Sequence, residues 1–229
     1  MGPGREPAAH PEGATDLFDG PQLKIGNVLP RAFYDRPVLE VAPDLLGRHL
    51  RSRTADGTVV VRIVEVEAYR GADDPGSHAF RGQTPRNATM FGPPGHAYVY
   101  FTYGMHWCLN VVCGPAGEAS AVLIRAGSVV TGADVATARR PASSARDLAR
   151  GPARLTRALG IDGTWDGTDL VRGVLTVHIG ETTRRAAVSV GPRVGVSGPG
   201  AATPWRFWVD DPAVSTYRPG VVRRRNRSA

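Results

Sequence analysis

Two glutamates, Glu65 and Glu67, interrupt an otherwise apolar run of the sequence, RIVEVEAY. In an extended strand, both side chains would point to the same face, about 7 Å apart. Paired carboxylates in a site sheltered from water are suited to general acid–base chemistry. On the exposed edge of a sheet, the same pair would be two solvated charges without a chemical role. The run alone favours this second interpretation.

A single arginine, Arg125, stands inside a second apolar run, AVLIRA. Arginine is rarely buried without a carboxylate partner, because the desolvated charge must be compensated. Glu65 and Glu67 are the candidate partners. A glutamate paired with a buried arginine would itself be buried, and would be a candidate for a role in chemistry and not a solvated surface charge.

Aromatic residues are concentrated in the stretch HAYVYFTYGMHWCLN. Two β-rich runs about Gly104 predict a protruding hairpin, with Tyr98 and Tyr100 on one face of its first strand. Tyr103 falls at the turn, where little core is available to bury it. An exposed aromatic tip of this kind is typical of side chains that enter a base stack.

The loop at 70–81 is rich in turn residues and contains one isolated histidine, His78. A lone histidine in a loop is more often incidental than functional. Thr84-Pro85-Arg86-Asn87 predicts a helical turn with Thr84 as its cap. Cys108 and Cys113, even with the neighbouring His106, lack a fourth ligand for zinc. We therefore expect no metal and no cofactor.

The 229 residues, 41% of them hydrophobic, suffice for one globular domain. Only one of the 28 basic residues is a lysine, Lys24, and the formal charge is +7. This balance makes nucleic acid the first partner to consider. A GC-rich genome would explain the arginine preference but not the net charge. Without a membrane-spanning run or a signal peptide, we expect a soluble protein in the cytoplasm.

The spacing of apolar residues predicts an α+β fold with a curved, mainly antiparallel sheet, a partly open barrel or roll with surrounding helices. Alternation along the second strand, 58–69, places Val61, Ile63 and both glutamates on one face. Further strands are expected at 121–126, 170–179, 193–196 and 205–209, and helices at 38–46 and 152–159. We expect the chain to consist of a disordered leader at 1–28, a domain at 29–217 and a basic tail at 218–229.

Several ordered motifs together resemble those of the alkyladenine (3-methyladenine) DNA glycosylase family. They are EVEAY, a histidine nine residues after its tyrosine, QTPRN, MF, YVYFTYGMHWCLN, VLIRA, GPARLTRALGI, PRVGVS and PWRFWV. The similarity extends over about residues 31–216. It implies the same α+β fold and an enzyme that flips alkylated or deaminated purines out of duplex DNA and hydrolyses their N-glycosidic bonds.

The resemblance also implies roles for seven residues. By motif, Glu67 is similar to the general base that activates water, and Arg125 to the arginine that helps to hold that water. The walls around the flipped base would be Tyr69, His78 and Tyr100. Asn110 matches the asparagine that crowds the amino group of guanine, and Tyr103 the tyrosine that replaces the base in the stack.

A glycosylase that also cleaves the strand needs an amine nucleophile. The only lysine, Lys24, lies far from these motifs, so we expect a monofunctional hydrolase that leaves an abasic site in double-stranded DNA. We also expect the protein to be a monomer. A non-catalytic nucleic-acid-binding module and a hydrolase of free nucleosides stay open as alternatives. A nucleobase deaminase is disfavoured, because its His-x-Glu and Pro-Cys-x-x-Cys signature is absent.

Overall fold

One antiparallel β-sheet of eight strands organises the computed structural model, which describes residues 25–216. The strands run in the order β3-β4-β5-β2-β1-β6, and the pair β7-β8 joins β2 beside this path. The sheet is not closed, and helices lie around it. This arrangement confirms the predicted α+β class with a partly open sheet. The strands are β1 His49–Thr54, β2 Gly57–Tyr69, β3 Ala97–Thr102, β4 His106–Val112, β5 Ala121–Thr131, β6 Leu175–His178, β7 Ser189–Gly191 and β8 Arg206–Trp208.

The longest strand, β2, lies at the centre of the sheet. Its first half pairs with β1, its second half pairs with β8, and β5 accompanies it on the other edge. The β1-β2 hairpin was predicted from the turn at Gly57, where φ is +130° and a side chain would be strained. Because β2 has neighbours on both edges, charged side chains in its second half are enclosed by protein.

The predicted alternation along β2 is wrong in one respect. Core residues occupy odd positions up to Ile63 and even positions from Val64 onward. The register with β5 shifts at this point, since Ile63 pairs with Gly127 but Glu65 pairs with Ala126. A β-bulge of this kind adds one residue and reverses the side-chain parity of the strand. Glu65 and Glu67 therefore do not share a face with Val61 and Ile63.

Four helices pack around the sheet in the described part of the chain. The helix predicted at 38–46 is slightly shorter than expected, and the one predicted at 152–159 has the predicted bounds. Their ends follow local chemistry: Pro152 opens the last helix, and Gly160 ends it with a φ of +70°. The helices are α1 Arg31–Tyr34, α2 Val38–Asp44, α3 Ala133–Arg139 and α4 Pro152–Leu159. Among residues 25–216, no helix is long and apolar enough to cross a membrane.

Three further sequence predictions can be compared with the structure. The strand predicted at 193–196 is absent, and the short strand β7 precedes it. Thr84 does not cap a helix with its side chain; instead, Oδ1 of Asn87 accepts the backbone N–H of Thr84 before a 3-10 helix, Ala88–Phe91. Val28, at the end of the predicted leader, pairs with His178. The rest of the leader and the basic tail lie outside the described residues.

Candidate active site

Arg125 joins the two glutamates of β2. Its Nε lies 2.9 Å from Oε1 of Glu65, and its Nη1 lies 3.2 Å from Oε1 of Glu67. Neither glutamate side chain is exposed, so the interpretation as solvated edge charges is wrong. Burial lowers the pKa of Arg125, but the charges of Glu67 and Glu65 outweigh it and the pKa is raised. The arginine stays charged between its two partners.

The carboxylate of Glu65 is fully engaged by protein donors. Oε1 accepts from Nε of Arg125, from Nε of Arg206 at 2.7 Å and from Oγ of Ser215 at 2.8 Å. Oε2 accepts the backbone N–H of Ser215 at 2.7 Å. With this donor set, Glu65 is suited to anchoring Arg125 and the chain around Ser215, and not to chemistry.

Glu67 is held differently, by groups that line a cavity. Its Oε1 accepts the backbone N–H of Val194 at 2.6 Å, and its Oε2 accepts the hydroxyl of Tyr69 at 2.8 Å. Tyr69, Val194 and Arg125 all line the cavity. The carboxylate therefore lies directly beneath the cavity floor.

The cavity has a volume of about 440 Å³, within the range of small-molecule sites. One wall is aromatic: the His78 and Tyr100 rings meet edge to face with centroids 4.5 Å apart, and Tyr98 stacks on Tyr100 at 5.4 Å. Nδ1 of His78 lies 3.1 Å from the Tyr98 hydroxyl. Tyr69, His78 and Tyr100 thus line one space. Tyr98 was missed as a site residue, although its alternation with Tyr100 was visible in the sequence.

These surroundings keep the wall uncharged at neutral pH. Burial, together with the nearby Arg86 charge, lowers the pKa of His78, so its imidazole is neutral at pH 7. Burial raises the pKa of Tyr98 to about 12 and that of Tyr100 further. The wall therefore offers neutral rings for stacking and neutral groups for hydrogen bonds.

Asn110, on β4, forms part of the cavity next to the aromatic wall. It pairs in register with Tyr98, and its Nδ2 donates to the Tyr98 carbonyl at 3.1 Å. The side chain is almost fully buried. A fixed amide at this position restricts the shape of any ligand in the cavity.

Tyr103 stands at the tip of the β3-β4 hairpin with 81% of its surface exposed. Its φ is +52°, which makes it the one non-glycine residue with positive φ within residues 25–216. Gly104 also has a positive φ, so the tip turns tightly. A Cβ atom on Gly195 would lie 3.9 Å from the Tyr103 hydroxyl, which places the tip at the cavity mouth.

Two site residues have no counterpart among the sequence predictions, Val194 and Arg193. They lie in the segment predicted as an ordinary strand, and only its place in the motif PRVGVS marked it. The described part of the chain contains no cluster of three or more His, Cys, Asp or Glu residues that could hold a metal. Cys108 and Cys113 are buried free thiols there.

Comparison with known proteins gives consistent matches. The family model described as methylpurine-DNA glycosylase matches residues 32–213. A protein of Streptomyces avermitilis named "Putative 3-methyladenine DNA glycosylase" is 57% identical over 202 residues, which cover 86% of this chain and 95% of the relative. Proteins with the same name from Burkholderia lata and Carboxydothermus hydrogenoformans are 53% and 48% identical, over 87% and 80% of this chain and 95% of each relative.

Proposed function

This chain belongs to the methylpurine-DNA glycosylase family, and from that premise we propose that it is a monofunctional DNA glycosylase with Glu67 as its general base. The enzyme flips an alkylated or deaminated purine out of duplex DNA. Water activated by Glu67 then hydrolyses the N-glycosidic bond and leaves an abasic site for base excision repair. The observation that carries this proposal is the carboxylate of Glu67 beneath an aromatic cavity, held there by Arg125 and the Val194 N–H.

The reaction needs a negative charge at this position. Cleavage of an N-glycosidic bond develops positive charge on the sugar, and a nearby carboxylate both stabilises that charge and orients the attacking water. The backbone N–H of Val194 and the guanidinium of Arg125 are rigid donors that hold the carboxylate of Glu67 in place. Rotation of the Tyr69 hydroxyl about its C–O bond can redirect its hydrogen without moving the ring, which would free Oε2 of Glu67 for the water.

The aromatic cavity fits a flipped purine. Extrusion of a base costs a few kcal/mol, and stacking on aromatic side chains contributes about 1–3 kcal/mol per base, so the two are of similar size. Tyr69 and Tyr100 supply stacking faces and His78 a neutral edge, while Tyr103 fills the gap left in the duplex. Asn110 crowds the exocyclic amino group of guanine and so favours the excision of purines that lack it.

The lack of lysine in these motifs determines what happens to the DNA strand after the base is released. A strand-cleaving glycosylase forms a Schiff base through an amine, and Lys24 is the only lysine of the chain. None of the motif residues around Glu67 carries an amine. The purified protein should release the base and leave the sugar–phosphate strand intact until alkali or an endonuclease is added.

Substrate charge should influence the rate. A purine nucleotide alkylated at N3 or N7 already carries positive charge and leaves without acid assistance, whereas hypoxanthine is neutral and requires protonation. The neutral His78 imidazole, whose pKa is lowered by burial, is a poor proton donor at pH 7. We therefore expect purines alkylated at N3 or N7 to be excised faster than hypoxanthine.

The partner is double-stranded DNA, bound by a monomer with a net charge of +7, in the bacterial cytoplasm at the nucleoid.

The deciding experiment measures purine release from duplexes that carry 3-methyladenine, hypoxanthine or ethenoadenine, with the Glu67→Gln protein alongside. Glutamine has the size of glutamate but no charge, so release should fall to background while duplex binding is retained. Unchanged release by Glu67→Gln would overturn the assignment of the base. Glu40→Gln, at an exposed position of α2, is the matched control.

Salt dependence separates the two alternatives that the sequence left open. Phosphate contacts release counterions, so activity on DNA should fall steeply between about 50 and 200 mM salt, by about 10³-fold or more for six or more contacts. A hydrolase of free nucleosides should respond weakly to salt. A binding module would bind the duplexes with the same steep dependence but release no purine.

A further inference from the structure

Behind the cavity wall lies a buried ion pair whose two side chains do not line the cavity. Arg193 donates to both carboxylate oxygens of Asp74, with Nη2 to Oδ1 at 2.6 Å. Neither side chain is exposed by more than 1%. The two residues lie 119 positions apart in the sequence, so the pair connects two segments that have no strand pairing with each other.

Asp74 also organises its own segment. Its Oδ1 accepts the backbone N–H of Gly76 at 2.9 Å, and its Oδ2 accepts that of Arg70 at 3.2 Å. Burial raises the pKa of Asp74, but the hydrogen bonds and charge of Arg193 outweigh this and the pKa is lowered. The carboxylate is therefore charged, and its donors fold residues 70–76 into a fixed loop.

The guanidinium of Arg193 also touches the proposed base-stacking residue. It lies 4.6 Å from the centroid of the Tyr69 ring and 5.2 Å from that of Trp205. Tyr69 lines the cavity, whereas Arg193 is buried and does not. Arg193 therefore packs on the face of the ring that points away from the cavity and keeps the other face available for a base.

The next residue along the chain donates to Glu67. Val194 gives its N–H to Oε1 at 2.6 Å, and its position is set by the anchored side chain of Arg193. A third contact, from Nη1 of Arg193 to the Ala68 carbonyl at 3.0 Å, ties the guanidinium to β2 between Glu67 and Tyr69. A Cβ atom on Gly76 would lie only 2.7 Å from Nη2 of Arg193, so the guanidinium is tightly packed on this side.

We propose that Arg193, paired with Asp74, is a positioning residue that sets both the Tyr69 ring and the Val194 N–H against Glu67. This inference rests on the proposed function, because it assigns Arg193 to the same reaction. Lysine cannot replace it, since an ammonium group has neither the planar face that stacks on Tyr69 nor the fork that binds both oxygens of Asp74. Arg193 acts through its neighbours and does not touch the substrate.

The test compares Arg193→Lys and Asp74→Asn with the wild-type protein in single-turnover release of ethenoadenine from a duplex. Displacement of a catalytic group by about 1 Å lowers rates by about 100-fold, so the rate of release should fall by about 10- to 100-fold, in similar measure for both variants. Duplex binding should stay near wild type, because both side chains are buried and offer no surface for DNA to contact. Arg31→Lys, in the Arg31–Asp169 ion pair at 2.7 Å, controls for the loss of an arginine fork elsewhere.

Hydrogen exchange gives a readout that does not depend on activity. The Val194 amide should exchange faster in Arg193→Lys than in the wild type or in Arg31→Lys. Each protein is measured at the same temperature interval below its own melting temperature. A wild-type rate of release and wild-type exchange in Arg193→Lys would overturn this inference and leave the proposed function intact. Absence of purine release by the wild type would overturn the proposed function, and the exchange of Val194 would still decide whether Arg193 positions it.

Discussion

The hydroxyl of Tyr69 lies 2.8 Å from Oε2 of Glu67. The two residues are on the same face of β2, one as a wall of the cavity and the other beneath its floor. Burial, and then the neighbouring Glu67 charge, raises the pKa of Tyr69 well above its ordinary value. The hydroxyl therefore stays protonated and donates a hydrogen bond to Glu67. One side chain thus contacts both the proposed base-binding space and the proposed general base.

The two contributions of Tyr69 can be separated by two substitutions. Tyr69→Phe removes the hydroxyl but keeps the ring, and should lower base release less than Tyr69→Ala. The alanine variant also loses stacking worth about 1–3 kcal/mol, and should be slower than the phenylalanine variant by about 10- to 100-fold. Single-turnover release from an ethenoadenine duplex measures both. Equal rates for the two variants would show that the ring does not stack on the base.

Glu65 should matter for stability and not for the chemical step. Glu65→Gln leaves Arg125 and Arg206 without their shared carboxylate, and loss of one member of a buried ion pair costs about 3–5 kcal/mol. Urea unfolding should show this loss. Glu67→Gln should retain more stability but release no base. If Glu65→Gln were as stable as wild type and inactive, Glu65 would have to contribute to the reaction, either directly or by positioning Arg125.

How much of the structure the sequence predicts depends on how far apart the interacting residues lie along the chain. The hairpins β1-β2 and β3-β4 were predicted because turn residues and alternation are local signals. The shift at Val64 was not, because a bulge appears only when β2 is aligned with β5. Asp74 likewise looked like an ordinary loop residue, and its partner Arg193 like part of a strand. Burial of a charge by a distant segment leaves no pattern in either segment alone.

The same contrast applies to the candidate site. Glu67, Arg125 and the aromatic residues were identified because their types are unexpected in apolar runs and because they match family motifs. Val194 contributes a backbone N–H, and a backbone group carries no signal of residue type. Its role becomes visible only when the chain after β7 is placed against β2.

A pH-dependent loss of stability is expected at the other end of the sheet. His49 and His178 are neighbours on β1 and β6, and burial lowers the pKa of each. The unfolded chain, with an ordinary pKa of about 6.5, then binds more protons than the folded chain. The stability from these neutral histidines is present above about pH 6.5 and is lost as the pH falls through the lowered folded values.

Melting temperatures measured between about pH 7.5 and 5 test this expectation. The wild-type value should decline below about pH 6.5, and His49→Gln should flatten the decline. His49 is the better target because, among the described residues, its buried Nδ1 has no hydrogen-bond partner, whereas His178 binds the Gly26 carbonyl. His106→Gln, at an exposed position, should leave the decline unchanged. A flat wild-type profile would contradict the prediction.

Tyr103 combines an unfavourable backbone with high exposure, and this combination predicts a trade-off between stability and activity. A left-handed conformation costs a non-glycine residue about 1–2 kcal/mol, and the exposed ring recovers little of it by packing. Asparagine tolerates this conformation better than tyrosine. Tyr103→Asn should therefore melt at the same temperature as the wild type or slightly higher.

The same substitution should impair base release from duplex DNA. Without the ring, the gap left by the flipped base stays unfilled, and the lost stacking of about 1–3 kcal/mol corresponds to about 10- to 100-fold in rate. A damaged base in a mismatched pair is easier to extrude than one in a matched pair. The variant should therefore lose less activity on a mismatched duplex than on a matched one. Single-turnover release from both duplexes, with melting temperatures for both proteins, measures the trade-off. An equal loss on the two duplexes would mean that Tyr103 does not act by filling the stack.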